Sequence, residues 1–139
     1  MTEQKDGSVL YAVYGTLRKN WGNNRLLNNQ YSEYLGTMKT EPIFTLYHLG
    51  GFPAVAEEGT TAVTVEIWRV TDKATASRIN GLEGYSGIRG AANNWYDTVE
   101  IETEWGTANM FTMNKMNESS HRIIETGDWN NQVFNEEEI

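Results

Sequence analysis

Residues 8–19 read Ser-Val-Leu-Tyr-Ala-Val-Tyr-Gly-Thr-Leu-Arg-Lys, and the fold turns on them. Ser8 to Tyr14 is short, β-branched and aromatic, the composition of a strand that packs well against its neighbours. Gly15 ends it, because glycine permits a sharp bend and lets a ligand approach the main chain. The N–H groups of Gly15, Thr16 and Leu17 then follow one another round the bend, an arrangement able to hold an oxyanion or a carboxylate. Arg18 and Lys19 add positive charge beside it. By itself, the pattern fits a plain strand end with an exposed basic pair better than an anion site.

Strand signals continue outward from this segment. Tyr34–Lys39 and Ile43–His48 flank Pro42 as two strands flank a turn. Thr61–Val70 alternates, with Val63, Val65 and Ile67 on one side and Thr64, Glu66 and Trp68 on the other. Tyr96–Glu104 alternates again, and Gly106–Met113 reads as its hairpin partner across a turn at Trp105-Gly106. Thr71 or Asp72 can cap a helix through Lys73–Asn80 that stops near Gly81 or Gly84. A shorter helix begins after Asn23 and includes Arg25-Leu26-Leu27. Pro42 and Pro53 fall in turns. The expected fold is α+β: a small, closed or strongly curved mixed β-barrel or sheet with two or three short helices. Residues 1–139 read as a single domain, with a frayed acidic tail over about 133–139.

Composition narrows the function. The chain has 139 residues, 11 Lys and Arg against 19 Asp and Glu, and a net charge of −8. A nucleic-acid binder needs cationic surface to displace counterions, so that class is set aside, even though Trp95, Tyr96 and Trp105 have faces for stacking. No apolar run nears the roughly 20 residues of a membrane span. The polar start, Met1 to Asp6, does not read as a secretory signal, so a cytoplasmic location is expected. With no cysteine and only His48 and His121, disulfides, thiolate chemistry and a multi-histidine metal centre are all outside this chain's means. His48 reads as a packed or hydrogen-bonded strand residue and His121 as exposed. Glu57-Glu58 and Glu136–Glu138 read as solvated charge, and Met110, Met113 and Met116 as packing.

Ile79-Asn80-Gly81-Leu82-Glu83-Gly84-Tyr85 is the second stretch with chemical content. One acid stands at a helix end, between glycines and beside an aromatic. Leu82 and Tyr85 can desolvate the Glu83 carboxyl and raise its pKa toward that of a useful general base. Most glutamates at helix ends are simply solvated, and alone this one would be read so.

Together the two stretches resemble the γ-glutamylcyclotransferase (AIG2-like) family. Tyr14-Gly15-Thr16-Leu17-Arg18-Lys19, with Asn23 and Leu27, is similar to its Tyr-Gly-Ser/Thr-Leu opening. Gly51-Phe52-Pro53-Ala54-Val55, Val65-Glu66-Ile67-Trp68-Arg69-Val70, Leu82-Glu83-Gly84, Trp95-Tyr96 and Gly127-Asp128-Trp129 resemble later segments in the same order. The resemblance spans nearly the whole chain. It departs where the family has glycine at Asn20, histidine at Asn24, glycine at Val65 and arginine at Thr98.

The resemblance implies a reaction without a cofactor or metal. The α-amine of a γ-glutamyl amide attacks its own γ-carbonyl, releasing 5-oxoproline and a free amine. Glu83 would be the general acid and base. Tyr14, Gly15, Thr16, Leu17 and Tyr96 would bind substrate, with Arg18, Arg89 and Tyr85 as further candidates. Arg89, in the Gly- and Asn-rich loop from Ser86 to Asn94, is the residue able to replace the arginine missing at Thr98. The implied partner is a small-molecule γ-glutamyl amide or related anionic metabolite, handled by a monomer or homodimer. The alternative is a module that keeps the same pocket for a small molecule with altered or lost turnover.

Overall fold

Two strands carry apolar side chains on both faces, and everything else is arranged to cover them. They are β1 (Val9–Val13) and β5 (Thr64–Val70), paired antiparallel with Val9 opposite Val70 and Val13 opposite Glu66. A computed structural model describes residues 1–113 and 122–132. The remaining described elements are a 3-10 helix (Gly22–Leu26), β2 (Ser32–Lys39), β3 (Phe44–His48), β4 (Pro53–Thr61), α1 (Lys73–Leu82), β6 (Asp97–Thr103), β7 (Gly106–Thr112) and β8 (Arg122–Ile123).

The strands form two sheets rather than one closed barrel. Five lie in the order β2-β5-β1-β7-β6, and three in the order β4-β3-β8. Leu10 and Ala12 of β1 and Val65 and Ile67 of β5 face a core shared with Leu46, Val55 and Ile124 of the smaller sheet's region. Val9, Tyr11 and Val13, with Trp68 and Val70, face a second core built with Ile79 of α1, Leu27 and Phe111. The period-2 alternation thus sorts side chains between two interiors, which is why Glu66 and Trp68 are buried instead of solvent-facing.

The β6–β7 hairpin turns at Glu104-Trp105, with Asp97 opposite Thr112. Helix α1 begins on Asp72, whose carboxylate accepts from the N–H groups of Ala74 and Thr75. Among the described residues this is the α-helix, and the expected short helix after Asn23 is the 3-10 turn. His48 packs on Trp129 with 5.3 Å between ring centroids, and its Nδ1 accepts from Gly50 N–H.

Three expectations are corrected. The strands around Pro42 do not pair with each other: β2 runs antiparallel to β5, and β3 pairs with β4. Thr40 causes the split, its N–H bonding to Val63 O and its hydroxyl receiving Val63 N–H, which ties the end of β2 to the start of β5. Pro53 does not sit in a turn but opens β4, where a missing N–H is tolerated. Gly59, at φ 141, shapes an irregular stretch of β4 between Ala56 (opposite Thr45) and Thr61 (opposite Phe44). That break in the alternation hid the strand. Glu57 is also not plain solvated charge, since Arg89 and the Thr112 hydroxyl both bond to it. Met116, His121 and the tail 133–139 lie outside the described residues.

Candidate active site

Four segments meet around one pocket of about 510 Å³: the bend at Tyr14 to Leu17, Gly51 to Pro53, Gly81 to Gly84, and Trp95-Tyr96. The bend is held through its carbonyls. Gly15 O accepts from Arg18 N–H, Thr16 O from Asn23 N–H at 3.1 Å, and Leu17 O from the Asn24 side chain at 2.7 Å. Asn23 also donates to the Thr16 hydroxyl at 2.8 Å. The opposite polarity is left over: among the described residues, nothing accepts from the N–H groups of Gly15, Thr16 and Leu17. Such a run of free donors suits an anion. Gly15 is required here by closeness, because a Cβ on it would lie 2.6 Å from Pro53 Cγ.

Arg18 braces the bend from behind and does not line the pocket. It is buried, with Nε 3.1 Å from Glu66 and Nη1 2.8 Å from Asp128. Glu66 also accepts from Lys19 N–H at 3.0 Å and from the Trp68 indole at 3.2 Å. The expected exposed basic pair is therefore absent: Arg18 is internal, and Lys19 stacks its ammonium 3.4 Å over the Tyr34 ring. Asn20, where the family has glycine, has φ 74. Asparagine is among the few residues that accept that left-handed conformation.

Glu83 is placed by the way α1 stops. Gly84 takes φ 62, its N–H bonds to Gly81 O, and Tyr85 N–H reaches back to Asn80 O at 2.9 Å. This is the glycine-terminated helix end that leaves the preceding residue at the rim. Trp95 N–H then bonds to Gly84 O and Tyr96 N–H to Glu83 O at 3.2 Å, laying the aromatic pair beside the acid. Among the described residues no side chain or N–H group bonds to the Glu83 carboxyl. Desolvation by the surrounding protein raises its pKa from 4.5 to about 7.

Tyr14 and Tyr96 wall the pocket, with their hydroxyls engaged elsewhere. Tyr14 donates to Phe111 O at 2.7 Å, and Tyr96 to Pro53 O at 2.8 Å. Burial pushes both phenols well above their usual range, helped by the nearby Glu83 charge, so both stay neutral. Tyr85 and Arg89 lie outside the lining. The Tyr85 hydroxyl accepts from Thr98 Oγ1 at 3.2 Å. Arg89 reaches the Thr98 carbonyl, where the missing arginine would be, but its guanidinium grips Glu57 at 2.7 and 2.9 Å. Sequence reading missed Phe52, Leu82 and Trp95 as pocket residues. The signal was a large apolar residue directly after a glycine at Phe52 and Leu82, and directly before Tyr96 at Trp95. Among the described residues no group of His, Asp or Glu is arranged to hold a metal, and no helix is long and apolar enough to cross a membrane.

Comparison with known proteins places this architecture. Residues 11–131 match the family described as "Gamma-glutamyl cyclotransferase, AIG2-like", and the chain belongs to that family. A Vibrio cholerae protein named "Putative gamma-glutamylcyclotransferase" is 34% identical over 89% of this chain and 97% of its own. The crystal structure of an uncharacterised Pyrococcus horikoshii protein superposes with a TM-score of 0.68 at 30% identity, covering 88% of this chain and 90% of the other. An AIG2-like protein from Mus musculus shares the fold, with a TM-score of 0.64 at 16% identity over 93% of this chain and 86% of its own.

Proposed function

We propose that the chain is a γ-glutamyl-amide cyclotransferase in which Glu83 moves the protons and the bend at Gly15 to Leu17 holds negative charge. One observation carries the reading: a carboxyl of raised pKa and three backbone N–H groups, none with a bonded partner among the described residues, share one pocket. The Glu83 carboxylate takes a proton from the substrate's α-ammonium. The freed amine attacks the γ-carbonyl carbon, a C–N bond forms, and the carbonyl oxygen becomes an oxyanion. The N–H groups of the bend bind the α-carboxylate or that oxyanion. As the bond to the leaving nitrogen breaks, Glu83 returns the proton to it; the attacking nitrogen sheds a second proton, and the released amine takes one up as an ammonium, giving 5-oxoproline with no water consumed. A pKa near the working pH suits a group that must accept and then donate. Because the nucleophile belongs to the substrate, a pocket that favours the ring-like pose supplies much of the acceleration. Tyr14 and Tyr96 would form the walls of that pose.

The test is 5-oxoproline release from a panel of γ-glutamyl amides. Glu83→Gln is expected to lower turnover by about a hundredfold or more, with an unchanged far-UV spectrum. The wild-type kcat/KM should climb with pH and level off above about 7, since the free enzyme needs the carboxylate. Equal turnover by the variant removes Glu83 from this role.

A second reading keeps the pocket for binding alone. It is favoured by the lining, in which no described residue offers a cation for a substrate carboxylate. It is preferred if no amide yields product while a γ-glutamyl amide still raises Tm.

A further inference from the structure

Resting on the cyclotransferase reading, we infer that the amine half of the substrate is a bulky, uncharged, apolar group held by Phe52, Leu82 and Trp95. These three side chains line the pocket, yet they are 40%, 43% and 70% exposed. A tryptophan left that open on a pocket rim is a surface waiting for an apolar contact, because such rings otherwise pack inside.

Their position identifies the part of the substrate they meet. Leu82 precedes Glu83 in the chain, and Trp95 is bonded through its N–H to the carbonyl of Gly84. Both therefore flank the carboxyl that must protonate the leaving nitrogen. The glutamyl end occupies the bend at Gly15 to Leu17, so the group on the leaving nitrogen extends toward the rim. The pocket also has room for it. At the roughly 30 Å³ that one water occupies in the liquid, 510 Å³ far exceeds a glutamyl group's need.

Charge chooses between apolar and ionic amines. Among the described residues of the lining, Glu83 is the one that carries charge. An amine half with its own carboxylate, as in a γ-glutamyl dipeptide, finds no cation there and meets the negative charge of Glu83. An uncharged aromatic or branched aliphatic amine loses nothing on entry and covers the exposed rings, at about tenfold or more in selectivity for each well-placed group.

The experiment compares γ-glutamyl ethylamide, γ-glutamyl phenethylamide and γ-glutamyl-phenylalanine by 5-oxoproline release. The phenethylamide is expected to have the highest kcat/KM, by about tenfold over each of the others. Trp95→Ala and Phe52→Ala should each shrink the phenethylamide-to-ethylamide ratio severalfold. If all three amides react but the ratio stays near one, or the variants leave it unchanged, the inference is overturned while the cyclotransferase reading stands. A faster γ-glutamyl-phenylalanine overturns it equally. If Trp95→Ala converts a dimer to a monomer in size-exclusion, the rim belongs to a second copy and the inference also fails. If none of the amides reacts, the cyclotransferase reading fails and takes this one with it.

Discussion

Two glutamates bear on the bend after β1, and the protein treats them oppositely. Glu66, in the centre of the larger sheet, is buried with Arg18, the Lys19 N–H and the Trp68 indole all bonded to its carboxylate. Glu83, at the end of α1, lies in the pocket with no bonded partner among the described residues. Burial alone does not set their chemistry apart: Glu66 is fully buried and Glu83 is half-buried in the pocket wall. Partnering does. A buried charge with a full set of partners fixes geometry, and one without them keeps a proton affinity that chemistry can use. The bend joins the two: Glu66 holds it from behind, where it ends in Arg18 and Lys19, while its free N–H groups share the pocket with Glu83.

The sharpest way to break this contrast is at Glu66. Glu66→Ala strands the buried Arg18 with Asp128 alone, and removing one partner of a buried pair costs about 3–5 kcal/mol. Chemical denaturation should report that loss, and a fall under about 1 kcal/mol would show that the network is not structural.

Glu83 is expected to show the opposite sign. Unfolded, its carboxyl titrates near 4.5; folded, near 7. Between those values the native state holds the extra proton, so stability falls as pH rises through the window and stays lower above it. Glu83→Gln abolishes that loss. The variant should match the wild type near pH 4 and exceed it at pH 8 by about 2 kcal/mol, seen as a Tm several degrees higher. A variant less stable than wild type at pH 8 would give Glu83 a structural role like that of Glu66.

The smallest effect tests the bend itself. Gly15→Ala places a methyl 2.6 Å from the Pro53 ring. Overpacking of this kind costs about 1–3 kcal/mol, and Pro53→Ala in the same chain should recover part of it. Additive losses in that double-mutant cycle would show that the two do not press on each other.

Much of this was legible in local sequence. The strand, glycine and basic pair at residues 8–19 mark the bend, and Asp72 and Gly84 mark where α1 begins and ends, because caps and turns depend on a few adjacent residues. Glu83 was visible for the same reason, lying between Leu82 and Gly84. What local pattern could not give was direction. Arg18 beside Lys19 looks solvated until Glu66 and Asp128 arrive from 48 and 110 residues away. Thr61–Val70 alternates as a half-exposed strand would, yet both faces are covered because α1 packs on one and the smaller sheet lies over the other.

The sequence by itself determined the short-range devices: strand, bend, helix cap, helix stop and the family to which the chain belongs. Only the tertiary structure decided which carboxylate would be paired and which left alone, and which member of the Arg18-Lys19 pair would face inward. The reason is physical. A backbone conformation is set by neighbours along the chain, whereas solvation and charge pairing depend on groups that meet only after the chain has folded.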